Sequence, residues 1–195
     1  EAVFNCMESL IPEYSAFGVV REPGGSALPG IAPSNAYPCQ DGWVLVAGNG
    51  DSIFKRLMAA IGRQDLADAP DLAGNAGRVA RVAEIDAAIG AWTQPRTVQA
   101  VLDALAAARV PAGKVYTARD IAQDPHYQAR GMLLEQRTRD GDTVTVPGIV
   151  PKLSATPGGV RSSAPHLGED SDAVLREMGL TAPQIAQLRQ RGIVQ

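Results

Sequence analysis

Residues 42–63 read GWVLVAGNGDSIFKRLMAAIGR, and this stretch limits what the chain can fold into more than any other. Trp43-Val44-Leu45-Val46-Ala47 is a short apolar run rich in strand-forming residues, bounded by Gly42 and Gly48. Gly48-Asn49-Gly50 supplies a tight turn, and Asp51 stands where a helix N-cap belongs. Ile53, Phe54, Leu57, Met58 and Ile61 then line one face of a helix. Gly62 ends that helix, with Arg63 at its negative end. Strand, turn and amphipathic helix together predict an α/β unit. The Gly-x-Gly turn does not read as a phosphate cradle. Ile53 occupies the place of a third glycine, no Lys-Ser/Thr follows, and a carboxylate at Asp51 would repel an anion.

Other elements assemble around this unit. Residues 34–38 predict a short strand that turns at Gln40-Asp41-Gly42 to pair antiparallel with the Trp43 strand. A short helix is expected near Asp65–Ala67. A long one is expected from Gly77 to Trp92, with Val79, Val82, Ile85, Ala88, Ile89 and Trp92 buried and Arg78, Arg81, Glu84 and Asp86 on its wet side. Thr97 caps the next helix, whose inward positions are Val98, Val101, Leu102, Leu105 and Ala106. Residues 110–116 lead into a third strand. Thr117 or Ala118 opens a short helix, and Asp124-Pro125 opens another with Asp at the cap and Pro at N1. Residues 131–137 and 143–146 flank an Asp140-Gly141 hairpin turn. Ser171 caps a helix carrying Val174, Leu175 and Met178, and Thr181 begins the last one, with Pro183 inside its first turn. Two Gly/Pro-rich stretches, 21–30 and 147–164, read as linkers.

Composition excludes several classes of function. The chain has 195 residues and a net charge of −3, with its 18 basic residues scattered, so no nucleic-acid footprint is expected. No apolar run approaches the ~20 residues of a membrane span. Two cysteines, Cys6 and Cys39, in a chain of this length point to a reducing, cytoplasmic setting. At the start, Val3, Phe4, Met7, Leu10 and Ile11 form a helical stripe, with Pro12 marking its end or a kink near it and no cap or initiator Met before it. A helix entered in mid-turn leads us to expect that the sequence begins inside a larger fold.

A self-contained active site is not legible. His126 and His166 stand 40 residues apart, without a Cys or carboxylate cluster at metal-ligand spacing, so no metal site is expected. No Ser sits in a G-x-S-x-G elbow. The acidic residues fall at caps or on polar helix faces, and both histidines read as surface residues. No catalytic residue is assigned from the residues alone.

Several motifs taken together resemble the family III CoA-transferases, the group that includes formyl-CoA transferase and the carnitine CoA-transferases. Residues 167–175 (LGEDSDAVL) are similar to the family's L-G-E-H-T-D-E-V-L signature, with Asp170-Ser171 in place of His-Thr and Ala173 in place of Glu. Tyr37 followed by Asp41-Gly42 is similar to its Y-x-x-x-D-G segment, and Val110-Pro111-Ala112-Gly113 to its I-P-C-G turn. Asp124-Pro125 matches its D-P, and Leu153-Ser154-Ala155-Thr156-Pro157 its L-S-x-T-P. Gly24, Gly25, Ser26, Ala27 and Leu28, followed by Pro29-Gly30, take the place of a glycine-rich loop that covers the active site in formyl-CoA transferase. Here Ser26, Ala27 and Leu28 replace two glycines and a glutamine.

The resemblance implies a division of the chain. Residues 1–20 would close a large Rossmann-like domain, 21–30 form a linker with the glycine loop, 31–146 a small α/β domain with its hairpin, and 147–195 a second linker and return to the large domain. It also implies an interlocked homodimer acting on acyl-CoA and carboxylic acids, with coenzyme A as substrate and no resident cofactor. The family's nucleophile is an Asp of the amino-terminal half, which forms an acyl-aspartyl anhydride, and no position here matches it. Racemases of the same superfamily share this fold. A non-catalytic binding or oligomerisation module is a further reading that the residues leave open.

Overall fold

A computed structural model describes residues 2–7 and 9–195. The chain forms two compact units, divided between Val115 and Tyr116.

In the first unit, helices α1 (Ala2–Asn5) and α2 (Leu10–Phe17) precede an irregular stretch over residues 18–33. The single helical stripe expected at the start is thus two helices, and its position at Val3 lies outside the described side chains. Pro12 does not end a helix. It sits in the first turn of α2, where a helix tolerates the missing N–H. Gly18, at φ +66, closes α2 and donates its N–H to Tyr14.

Strands β1 (Ser34–Cys39) and β2 (Gly42–Ala47) form the expected hairpin, with Tyr37 opposite Val44 and Asn35 opposite Val46. Then come α3 (Asp51–Ala60), α4 (Gln64–Ala67), a 3₁₀ turn (Pro70–Leu72), α5 (Asn75–Ala80), α6 (Val82–Thr93), α7 (Val98–Ala107) and β3 (Ala112–Lys114). β3 pairs antiparallel with β2, giving a three-stranded sheet with β2 in the centre. Alternation along β2 sends Val44 and Val46 to the helix-covered face and leaves Trp43 and Leu45 exposed on the other. Phe54, Leu57 and Met58 of α3, Ile85 and Ile89 of α6, and Val101 and Leu105 of α7 complete the core. Each such side chain contributes about 1.5–3 kcal/mol of burial.

Several details depart from the sequence expectations. Gly50, not Asp51, is the N-cap of α3. Asp51 is the first helical residue and turns its carboxylate to Arg78. The helix expected over 77–92 is two, because Arg81 leaves helical geometry at φ −113, ψ 23. Ala106 is exposed, whereas Val98, Val101 and Leu105 are buried as expected. Arg78 is no wet-side residue: it is 1% exposed and is the largest side chain of the interior. Its five N–H groups make five bonds. Nε donates to the Ala32 carbonyl (3.1 Å), Nη1 to those of Leu72 (3.1 Å) and Ala73 (3.3 Å), and Nη2 to the Asn49 carbonyl (2.8 Å) and Asp51 (2.7 Å). The guanidinium also lies 5.2 Å from the Phe54 ring centre. One buried cation therefore fastens the end of the first linker, the β2–α3 turn and the 72–73 loop to α5.

The second unit holds α8 (Ala118–Gln123), α9 (Pro125–Ala129), the hairpin β4 (Leu133–Arg137) and β5 (Thr143–Pro147), α10 (Ser171–Glu177) and α11 (Ala182–Gln190). Thr117 and Thr181 each form a capping box with the residue three positions on. Ser171 is the first residue of α10 and Asp170 its cap, one position earlier than expected. Asp172 of α10 pairs with Arg176 and with Arg189 of α11, and Ile185 of α11 is buried. No described helix is long and apolar enough to cross a membrane.

Candidate functional site

The loop 24–30 is held from its carboxyl end. The Leu28 N–H donates to the Ser34 carbonyl (3.0 Å). Asn75, the first residue of α5, grips the segment with both ends of its side-chain amide: Nδ2 donates to the Gly30 carbonyl (2.8 Å) and Oδ1 accepts from the Ala32 N–H (3.1 Å). Gly25 and Gly30 lie at φ +66 and +75, a region that side chains disfavour, so glycine is what lets the chain turn there. Gly24 needs no such geometry, and Ala27 and Leu28 complete the loop with small and apolar side chains, Leu28 being half exposed.

Behind the loop runs a chain of polar side chains. Ser26 Oγ donates to Asn35 Oδ1 (2.7 Å), Asn35 Nδ2 donates to Asp86 Oδ2 (3.0 Å), and the Tyr37 hydroxyl donates to Asp86 Oδ1 (2.6 Å). The elements explain the alignment. Asn35 and Tyr37 are two apart on β1 and so share a face, and α6 packs on that face with Asp86 beside the buried Ile85. Burial of Tyr37, then its bond to Asp86, pushes the phenol well above its ordinary value, so the hydroxyl stays a donor. Sequence reasoning placed the loop but missed Asn35, Asn75 and Asp86. Alternation along β1 could have put Asn35 beside Tyr37. For Asp86 the only signal was its place next to a buried position.

The acids of the recognised motifs are occupied with backbone. Asp41, in the β1–β2 turn, accepts from the Val98 N–H (2.7 Å) and so supports the first turn of α7 beside its Thr97 cap. Asp124 accepts from the N–H groups of His126 (2.7 Å) and Tyr127 (3.3 Å) and from the Tyr116 hydroxyl (2.7 Å). The Tyr116 bond, ahead of the backbone ones, holds its carboxyl below the usual range. Glu169 accepts from the His166 N–H (2.8 Å) and lies 3.2 Å from Arg139, while His166 Nε2 is 3.4 Å from Asp140. These contacts shape loops and helix ends. The L-S-x-T-P segment borders a cleft of about 430 Å³ beside β4, in which Lys152 is the charged lining residue.

Residues 1–171 match CoA-transferase family III, and the chain belongs to that family. It is 39% identical over 196 residues to the succinyl-CoA–D-citramalate CoA-transferase of Chloroflexus aurantiacus, all of this chain aligning with 49% of that protein. With the succinyl-CoA–L-malate CoA-transferase beta subunit of the same organism the identity is 34% over 198 residues, again 100% of this chain and 49% of the relative. A solved CAIB/BAIF family protein from Brucella suis shares the fold with a TM-score of 0.71 at 29% identity, covering 89% of this chain and 44% of that one. The chain spans about half the length of the curated relatives it matches. The family and the α/β class read from the motifs are thereby borne out.

Proposed function

We propose that this chain supplies the carboxy-terminal half of an enzyme that moves CoA from succinyl-CoA to a hydroxy-dicarboxylic acid. The observation that carries this reading is the alignment of the entire chain with a succinyl-CoA–D-citramalate CoA-transferase at 39% identity. The chemistry divides between the halves. A carboxylate of the amino-terminal half attacks the thioester carbonyl, forming a mixed anhydride and releasing CoA thiolate. The acceptor carboxylate then displaces the donor acid from the anhydride, and the thiolate attacks the acceptor's carbonyl, forming the new thioester and freeing the enzyme carboxylate. The part of this chain is to hold the glycine loop over the acid, shield the anhydride from water and orient the acceptor carboxylate.

Its motif acids serve as caps and ion-pair partners, in keeping with a nucleophile located elsewhere. Residues 31–146 would act as the small domain, and residues 1–20 and 147–195 would pack in the large one. Exposed Phe17, Trp43, Leu45, Leu167 and Met178 suit covering by that domain and by a second subunit in a cytoplasmic homodimer. The test is CoA transfer by the full-length protein from succinyl-CoA to citramalate, malate and carnitine. Turnover with the two hydroxy-dicarboxylates well above that with carnitine is expected. Absence of transfer to either dicarboxylate would reject the reading.

A further inference from the structure

The polar chain behind the glycine loop has a fixed direction. Both oxygens of Asp86 accept, one from Tyr37 and one from Asn35 Nδ2. The opposite end of the Asn35 amide receives its own neighbour's backbone, since Oδ1 accepts from the Ala36 N–H at 2.8 Å. Turning this amide over would set its NH₂ against the Ala36 N–H and its oxygen against the Asp86 carboxylate, two repulsions in place of two bonds. Asn35 therefore shows Ser26 an acceptor, and the one hydroxyl hydrogen of Ser26 is spent on it at 2.7 Å. What the exposed Ser26 Oγ has left is its lone pairs. In residues 24–30 no other side chain carries a polar atom.

We infer that Ser26 is a specificity residue that offers only an acceptor to the acid beneath the loop and so selects acids bearing a hydroxyl. This rests on the transferase reading above. A substrate hydroxyl donates to Ser26 Oγ. A carboxylate oxygen at the same place would gain the Ser26 hydrogen only by breaking its bond to Asn35, and a hydrogen would leave the acceptor unpaired. Asn35, Asp86 and Tyr37 act through Ser26 and are positioning residues. Backbone N–H groups of the loop can still meet carboxylate oxygens, so one short segment presents both polarities.

Citramalate and 2-methylsuccinate differ by the hydroxyl alone and are the probes. In the full-length enzyme, with succinyl-CoA as donor, the ratio of their kcat/KM values isolates that group. Ser26→Ala should lower the ratio about tenfold, the worth of one hydrogen bond. Ser26→Thr, which keeps the hydroxyl, should preserve it. Asp86→Asn, which frees the Asn35 amide to turn, should lower the ratio with Ser26 still in place. A merely structural role would reduce transfer to both acids together and leave the ratio alone. An unchanged ratio in Ser26→Ala, an exposed substitution that the fold tolerates, would overturn the inference while leaving the transferase reading intact. Failure of the wild-type enzyme to transfer to citramalate and to malate alike would overturn both.

Discussion

Arg78 makes five hydrogen bonds from a position where water hardly reaches, and four of its partners are backbone carbonyls. Arg78→Met keeps most of the volume but leaves those carbonyls without donors, so a loss of about 3–5 kcal/mol of folding stability is expected. Arg78→Lys should recover only part, because three donors on a point cannot reach what a planar fork reaches. Chemical denaturation of the chain measures both, and a loss below ~1 kcal/mol for Met would contradict the role assigned here. The signal for Arg78 lay in the sequence. It stands seven residues before Ile85, on one face of the single helix the spacing predicts, but its charge argued for solvent more strongly than its spacing argued for the core.

Tyr37 carries a pH dependence whose sign follows from its environment. Burial and the bond to Asp86 raise its phenol above the ordinary value of 10. The unfolded chain loses this proton near pH 10 and the folded chain keeps it. The contribution is therefore complete below pH 10 and is lost as pH rises beyond, by up to about 1.4 kcal/mol per pH unit. Tyr37→Phe should show a smaller drop in stability between pH 9 and pH 11 than the wild type does. An equal drop would assign the alkaline loss to other groups.

At the scale of elements, the glycine loop joins two kinds of anchoring. Asn75 and Ser34 fix its carboxyl end, while residues 24 and 25 have no side chain to pack. In the full-length enzyme, Gly24→Ala and Gly25→Ala should lower kcat more than they lower Tm, because a loop that must open and close pays in rate for lost backbone freedom. A Cβ at Gly24 meets nothing closer than 3.8 Å, so that variant reads the motion without a clash. Unchanged kcat in both would rule out a gating role. The strand–turn–helix unit, both hairpins, and the Thr97, Thr117 and Asp124 caps were legible, since each is written in a few consecutive residues. The break between α5 and α6 was not. It falls at Arg81, whose guanidinium pairs with Asp71 and Glu84, and no residue type there announces a stop. The polar chain from Ser26 to Tyr37 was hidden because it joins residues 9 and 51 positions apart.

At the scale of the whole molecule, the first unit has a closed core and the second has little of one. Large apolar side chains stand exposed in both, among them Phe17 at 79% and Leu167 at 86%. Such surface in one chain calls for cover, and in the proposed enzyme the amino-terminal half supplies that cover together with the nucleophile. The most direct measurement is transfer of label from succinyl-CoA to free citramalate by the pure 195-residue chain, alone and co-expressed with that half. The chain alone should leave succinyl-CoA intact, and co-folding of the halves should restore transfer. Transfer by the chain alone would place the nucleophile within it, with Asp51, Asp124 and Glu169 the first carboxylates to replace, and would contradict the division of labour proposed here.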